Sequence, residues 1–152
     1  MSLQEQIAED IKQSMKAKDA IRLSCLRMLR AAIKNVQVEK GHELQDDEIQ
    51  TVVSSLIRKG KEAADQFKAG NRDDLAAKEE KEIEVLYGYL PQQLTPEQIE
   101  AKVREIISEL SITSPKDMGK VMKAAMAKMA GQAQGKDISD ITKRLLTSAA
   151  RE

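Results

Sequence analysis

The chain has 152 residues, enough for one compact domain or two small ones that bury about two-thirds of the surface exposed by the unfolded chain. Its 25 Lys and Arg balance 25 Asp and Glu, so no overall field draws it to nucleic acid, membrane or acidic substrate, and any charged partner must meet a local patch. Aromatic residues are 2% and one cysteine stands alone, which argues against a strand-rich core and excludes an intramolecular disulfide or a thiolate metal cage.

Ala, Leu, Met, Glu, Lys and Gln dominate, and helix is the favoured conformation almost throughout. Leu3, Ile7, Ile11 and Met15, four apart, predict a first helix with one apolar stripe. Asp19 can cap a second, which turns Ile21, Cys25, Met28, Leu29, Ala32 and Val36 inward and ends at Gly41. Asp46, Asp47 and Glu48 suit the positive end of a third helix, whose inward positions are Ile49, Val52, Val53, Leu56, Ile57 and Phe67. Gly70 breaks it, and Asn71 is read as the cap of a fourth helix with Leu75, Ile83, Leu86 and Leu90 on its stripe.

Two prolines in the segment from Leu90 to Pro96 remove backbone donors and disfavour helix in the residues before them, so a domain boundary is expected there. Thr95, Pro96 and Gln98 form a capping box that opens a helix burying Ile99, Val103, Ile106 and Leu110. Ser114, Pro115 and Asp117 repeat the pattern before a methionine-rich helix with Met118, Val121, Met122, Ala125, Met126 and Met129 on one side, ended by Gly131. Asp137 is read as the cap of a last helix through Ile138, Ile141, Leu145 and Ala149. The fold class is therefore all-α: a four-helix amino-terminal domain over 1–90 and a smaller three-helix carboxy-terminal domain over 91–152.

Catalytic machinery is not evident. His42 lies in a Gly41-His42-Glu43 turn, where a triad would need distant Ser and Asp residues to gather. Cys25 sits among apolar helical positions and reads as a core residue. No second histidine accompanies His42, the acidic pairs Asp46-Asp47, Asp73-Asp74 and Glu79-Glu80 suit helix starts or solvated faces, and Gly131 to Gly135 lacks a phosphate-loop ending. No metal and no cofactor is expected. The amino terminus has no secretory pattern and no stretch approaches membrane-spanning length, so a soluble cytoplasmic protein is expected.

The neutral total hides segments of opposite sign. Residues 46–90 carry 11 acids and 7 bases, whereas 111–152 carry 4 acids and 8 bases. Lys120 and Lys123 fall opposite the methionine stripe beside the small Gly119 and Ala127, Lys128 lies at its border, and Lys136 precedes Asp137 at a helix start where backbone donors favour phosphate. Arg27, Arg30 and Lys34 form a second basic strip, expected opposite the buried side of the second helix. Each strip is either a solvated face or a phosphate-binding face. With so few aromatics to stack on bases, contacts to RNA would be to phosphate and sugar, and no DNA sequence recognition is expected. The methionine stripe is either plain core or an adaptable groove for a partner.

Leu26-Arg27-Met28-Leu29-Arg30-Ala31-Ala32-Ile33-Lys34-Asn35, Gly70-Asn71-Arg72-Asp73-Asp74-Leu75, Tyr89-Leu90-Pro91-Gln92-Gln93-Leu94 and Asp117-Met118-Gly119-Lys120-Val121-Met122-Lys123, followed by Gly131 and Ala133, make the chain resemble the YqeY family nearly end to end. That family shares its fold with the tail of the B subunit of glutamine-dependent tRNA amidotransferases. The resemblance implies two helical domains and association with tRNA, with Gly119, Val121, Met122, Gly131 and Ala133 carrying the family motif. The carbon-nitrogen ligase chemistry of the amidotransferase resides in parts with no counterpart here, so the implied role is that of a tRNA-binding module or accessory factor without catalysis of its own. Gln132 and Gln134 depart from a more charged family loop, which shifts weight to Lys120, Lys123 and Lys136. The alternatives are a protein-interaction adaptor, with a translation partner on the methionine-rich helix or an inter-domain groove, and an amide-forming enzyme that works with a separate glutaminase.

Overall fold

The computed structural model describes residues 1–151, and the side chains of 1–148. Among them are seven α-helices, one short 3-10 turn and no strand. The residues divide into two compact units, one from Met1 to Pro91 and the other from Gln92 onward.

The first unit contains α1 (Leu3–Lys16), α2 (Ala20–Lys40), α3 (Asp46–Ala69) and α4 (Asp73–Tyr87). Ser2 and Glu5 form a capping box that starts α1, and Asp19 accepts from the Arg22 amide to start α2. The α1 stripe includes Ile7 and Ile11 but not Met15, which is 48% exposed. Each four-residue step advances a helix 40° beyond a full turn, so a stripe written four apart rotates out of the core within three turns. Ser14 takes the inward position instead, and its hydroxyl donates 2.8 Å to the Asp10 carbonyl one turn earlier. A similar shift of phase occurs in α2, where Cys25, Leu26, Leu29 and Ile33 are buried and Met28 faces outward.

Helices α3 and α4 run antiparallel and close together. A Cβ on Gly60 would lie 3.0 Å from Ile83 Cγ1, closer than such atoms normally approach, so the glycine sets this spacing. Asn71 does not cap α4. It adopts left-handed backbone (φ 60°) and ends α3, with its amide on the Lys68 carbonyl and the Arg72 amide on the Phe67 carbonyl. This pair of bonds satisfies carbonyls that the helix end would leave unpaired, a role asparagine fills when glycine does not. Gly70, one residue earlier, has ordinary negative φ.

The second unit contains α5 (Pro96–Leu110), the 3-10 turn Pro115–Asp117, α6 (Met118–Lys128) and α7 (Gly135–Arg151). Thr95 and Gln98 cap α5 reciprocally, with Pro96 at its first position. The core is built from Ile99, Val103, Ile106, Val121, Ala125, Met129, Ile138 and Leu146, joined by Ile112 from the turn after α5. Leu110 lies outside it at 46% exposure. Helix α7 starts at Gly135, two residues before the expected Asp137 cap, so Asp137 stands in the first turn, where its charge still opposes the positive helix end. Thr142 is fully buried on α7, and its Oγ1 has no hydrogen-bond partner. The side chain of Ala149, expected on the α7 stripe, lies outside the described residues.

Candidate nucleic-acid interface

Burial of one side of α6 decides which side is available to a ligand. Val121 and Ala125 are fully buried, Met129 just beyond the helix is also buried, and Met118 and Met122 are half-buried against the same core. Lys120 and Lys123 point the other way and are exposed. Between them and the helix start sits Gly119, where an added Cβ would meet nothing within 4 Å. No packing contact of this unit therefore requires a glycine there.

Lys120 reaches Asp117 at 4.0 Å with 77% of its side chain exposed, a contact too loose and too wet to immobilise the ammonium. Among the described residues neither Lys123 nor Lys136 is ion-paired. Lys136 lies in the first turn of α7 and is exposed. Met126, itself 46% exposed, is seated over Gly135, 3.6 Å from where a Cβ would stand. Lys123 is one turn of α6 from that contact, and Lys136 is the next residue of α7. Lys128 differs, because it bridges to Glu105 of α5 at 3.3 Å and has its charge answered within the unit.

The second unit carries two further exposed cations that the sequence reading does not single out. Lys116, in the 3-10 turn four residues before Lys120, and Lys143, seven residues after Lys136 on α7, are both exposed. Spacings of four and seven were the available signal. Arg144, by contrast, is tied to Glu100, which also accepts from Arg104 on its own helix. These guanidinium hydrogen bonds, Arg104 first, hold the Glu100 carboxyl below its ordinary range.

The glycine-containing loop after α6 does a different job. Gly131 takes φ 75°, and its carbonyl accepts 2.7 Å from Gln93 Nε2, while the Gln132 carbonyl accepts 2.9 Å from the Leu94 amide. Ala133 packs against the core. The loop thus holds the segment leading into α5 through these two bonds, and Val121 of the same motif is core. Of the motif residues, Gly119 and the lysines beside it are the ones that face outward.

In the first unit, Arg27, Arg30 and Lys34 are exposed but do not all lie opposite the core. Arg30 and Lys34 line a groove against α1, and an Arg27 guanidinium nitrogen lies 3.8 Å from Met15 Sδ. His42 Nε2 is 3.4 Å from Glu48, which also accepts 2.9 Å from Lys40. That lysine hydrogen bond is the main reason the Glu48 carboxyl is held low. Cys25 is buried, and its thiol donates 3.5 Å to the Glu82 carbonyl. Burial, reinforced by the Glu82 and Glu79 charges, pushes this thiol up to about 12, so it carries no thiolate nucleophile near neutral pH. Among the described residues no three His, Cys, Asp or Glu side chains stand close enough to hold a metal ion, and no helix is long and apolar enough to cross a membrane.

Comparison with known proteins gives a family match described as Yqey-like protein, covering residues 4–146. The chain is similar to the protein called Altered inheritance of mitochondria protein 41, mitochondrial, of Lachancea thermotolerans, at 34% identity over 112 residues, 72% of this chain and 60% of that one. The proteins of the same name from Kluyveromyces lactis and Vanderwaltozyma polyspora are 31% and 30% identical, covering 72% and 68% of this chain and 60% and 58% of theirs. The chain thus spans about three-fifths of the length of these relatives. Their names place them in mitochondria, which overturns the cytoplasmic location expected from the amino terminus and the lack of a membrane-spanning stretch.

Proposed function

Because the chain belongs to the Yqey-like family, we propose that it is a tRNA-associated accessory module whose second unit grips the phosphate backbone and performs no bond chemistry itself. The observation that carries this reading is the outer face of α6, where Lys120 and Lys123 stand exposed beside a glycine that no internal contact requires. Phosphate contacts position a protein on RNA without reading bases, and a helix face without a Cβ at its centre lets a sugar-phosphate chain come near the backbone. Lys136 and Lys143 extend the charge along α7, and Lys116 extends it before α6. The first unit adds Arg27, Arg30 and Lys34. In this reading 1–90 and 91–152 are separately folding domains, and the second supplies most of the affinity.

The test is a titration of labelled bulk tRNA with the intact chain at low salt. Saturable binding is expected, weakened about tenfold or more in a variant combining Lys120→Gln, Lys123→Gln and Lys136→Gln, a loss in keeping with the salt-sensitive nature of phosphate contacts. Absence of saturable binding by the unaltered chain removes the reading.

Met126 supports a second reading, a protein adaptor. It is a flexible apolar side chain left 46% exposed on a helix with two further half-buried methionines, a composition that repacks readily around a partner helix. A protein partner that stays bound after nuclease treatment, and is lost on Met126→Glu, favours the adaptor. Loss with nuclease favours RNA.

A further inference from the structure

Helices α2 and α3 leave between them a groove of about 270 Å³. Ala32 and Val36 of α2 and Val52 and Leu56 of α3 give it apolar walls, Val52 buried and the other three half-buried. Its polar lining falls into two sets. At one end Lys40 donates 2.9 Å to Glu48, and the nearby Thr51 hydroxyl donates 3.2 Å to the Asp47 carbonyl, so these groups are answered inside the chain. Further along α3, Ser55 and Lys59 stand one turn apart and are not answered. The half-buried Ser55 keeps its hydroxyl accessible and without a hydrogen bond among the described residues, and the exposed Lys59 has no ion pair there. Both groups line the groove and both are open to a ligand.

These features define the ligand by its chemistry. One unanswered cation with a hydroxyl beside it calls for a single anionic group, and a carboxylate can accept from both. The opposite end, where Lys40 and Glu48 cancel, calls for no second charge. Four aliphatic walls without an aromatic ring among them suit a saturated chain, not a base or a sugar. Length follows from α3: Ser55 lies seven residues after Glu48, about 10 Å of helix, which an extended chain of about eight carbons spans. We propose that the α2–α3 groove binds a medium-chain aliphatic carboxylate. Its carboxylate accepts from the Ser55 hydroxyl and the Lys59 ammonium, and its chain lies on Leu56, Val52, Ala32 and Val36 toward the Lys40–Glu48 pair. This site lies in the first unit and does not depend on the second unit's binding RNA.

Octanoate is the probe, titrated into the full chain below its micelle-forming concentration and followed by NMR at the Val36, Val52 and Leu56 methyl groups. Saturable movement of all three is expected. From butanoate to octanoate the affinity should rise about two- to fourfold per added methylene, as each is partly or wholly buried, and then level off. Octanamide, the neutral counterpart, should bind about tenfold more weakly, for want of charge-assisted bonds. Lys59→Gln, at an exposed position, should weaken octanoate about fivefold, the scale of an exposed ion pair, with the unfolding temperature unchanged. Lys59→Arg, which keeps the charge, should restore most of that loss. The Lys120, Lys123 and Lys136 variant should bind octanoate normally, so failure here is distinguishable from failure of the RNA reading. Shifts that do not saturate, affinity independent of chain length, equal response to octanamide, or undiminished binding by Lys59→Gln would each overturn the proposal. So would movement of the same methyl groups with protein concentration alone, which would assign the groove to a second copy of the chain.

Discussion

The Tyr89 hydroxyl donates 2.6 Å to Asp10 Oδ2, and Arg22 approaches the same carboxylate at 3.8 Å. Tyr89 is 4% exposed and follows α4 directly, so this one bond ties the end of the fourth helix to the first and brings the second in through Arg22. Burial, then the Asp10 bond and charge, push the phenol well above its ordinary value. A folded-state value raised in this way means the contribution to stability is complete below the unfolded tyrosine value near about 10 and is lost as pH rises beyond it. Tyr89→Phe should therefore cost about 1.5 kcal/mol in denaturant unfolding at pH 7, the scale of a hydrogen bond to a charged group, with the difference from the unaltered chain shrinking above pH 10. An unchanged midpoint at pH 7 would show that the bond contributes nothing. Tyr89 was legible in the sequence as part of a hinge motif, but its partner was not: Asp10 lies 79 residues away and looks like any acidic residue on a solvated face.

At the scale of the helix, apolar periodicity revealed the elements far better than their phase. The Leu3, Ile7, Ile11 and Met15 spacing located α1, yet continuing it by fours put Met15 inside when Ser14 is the buried residue. Ser14 and Thr142 do not stand out in the sequence because hydroxyl residues look polar there, although each is fully buried in a helix. Asn71 reads in the sequence as the start of α4, whereas its left-handed backbone serves the end of α3, a role that composition alone does not separate from capping. The outward face of α6 was legible for a simpler reason: three- and four-residue steps through Val121, Ala125 and Met129 leave Lys120 and Lys123 on the far side. Gly119 gives this element its own test. In the first turn of α6, with open space around it, Gly119→Ala should stabilise the fold by about 0.5 kcal/mol. If RNA approaches the backbone there, the same substitution should weaken tRNA binding several-fold. Stability rising while affinity falls separates a glycine kept for a ligand from one that is merely tolerated. Unchanged affinity would remove Gly119 from the interface.

Over the whole molecule, opposite charges cancel in number but not in place. The 25 basic and 25 acidic residues leave no net field, and inside the folded units many are answered by neighbours, as Lys128 is by Glu105 and Arg144 by Glu100. In the second unit, Lys123 of α6 and Lys136 of α7 have no ion pair among the described residues and Lys120 is only loosely engaged. The number of lysines was visible in the sequence, but which of them are spent on internal pairs depended on α5 packing beside α6 and α7. The most direct measurement is the salt dependence of tRNA affinity for the intact chain. The logarithm of the binding constant should fall linearly with the logarithm of salt concentration, and the slope should be shallower by about two to three in the Lys120, Lys123 and Lys136 variant, near one per phosphate contact removed. Equal slopes for the variant and the unaltered chain would mean that these lysines touch no phosphate, contradicting the account.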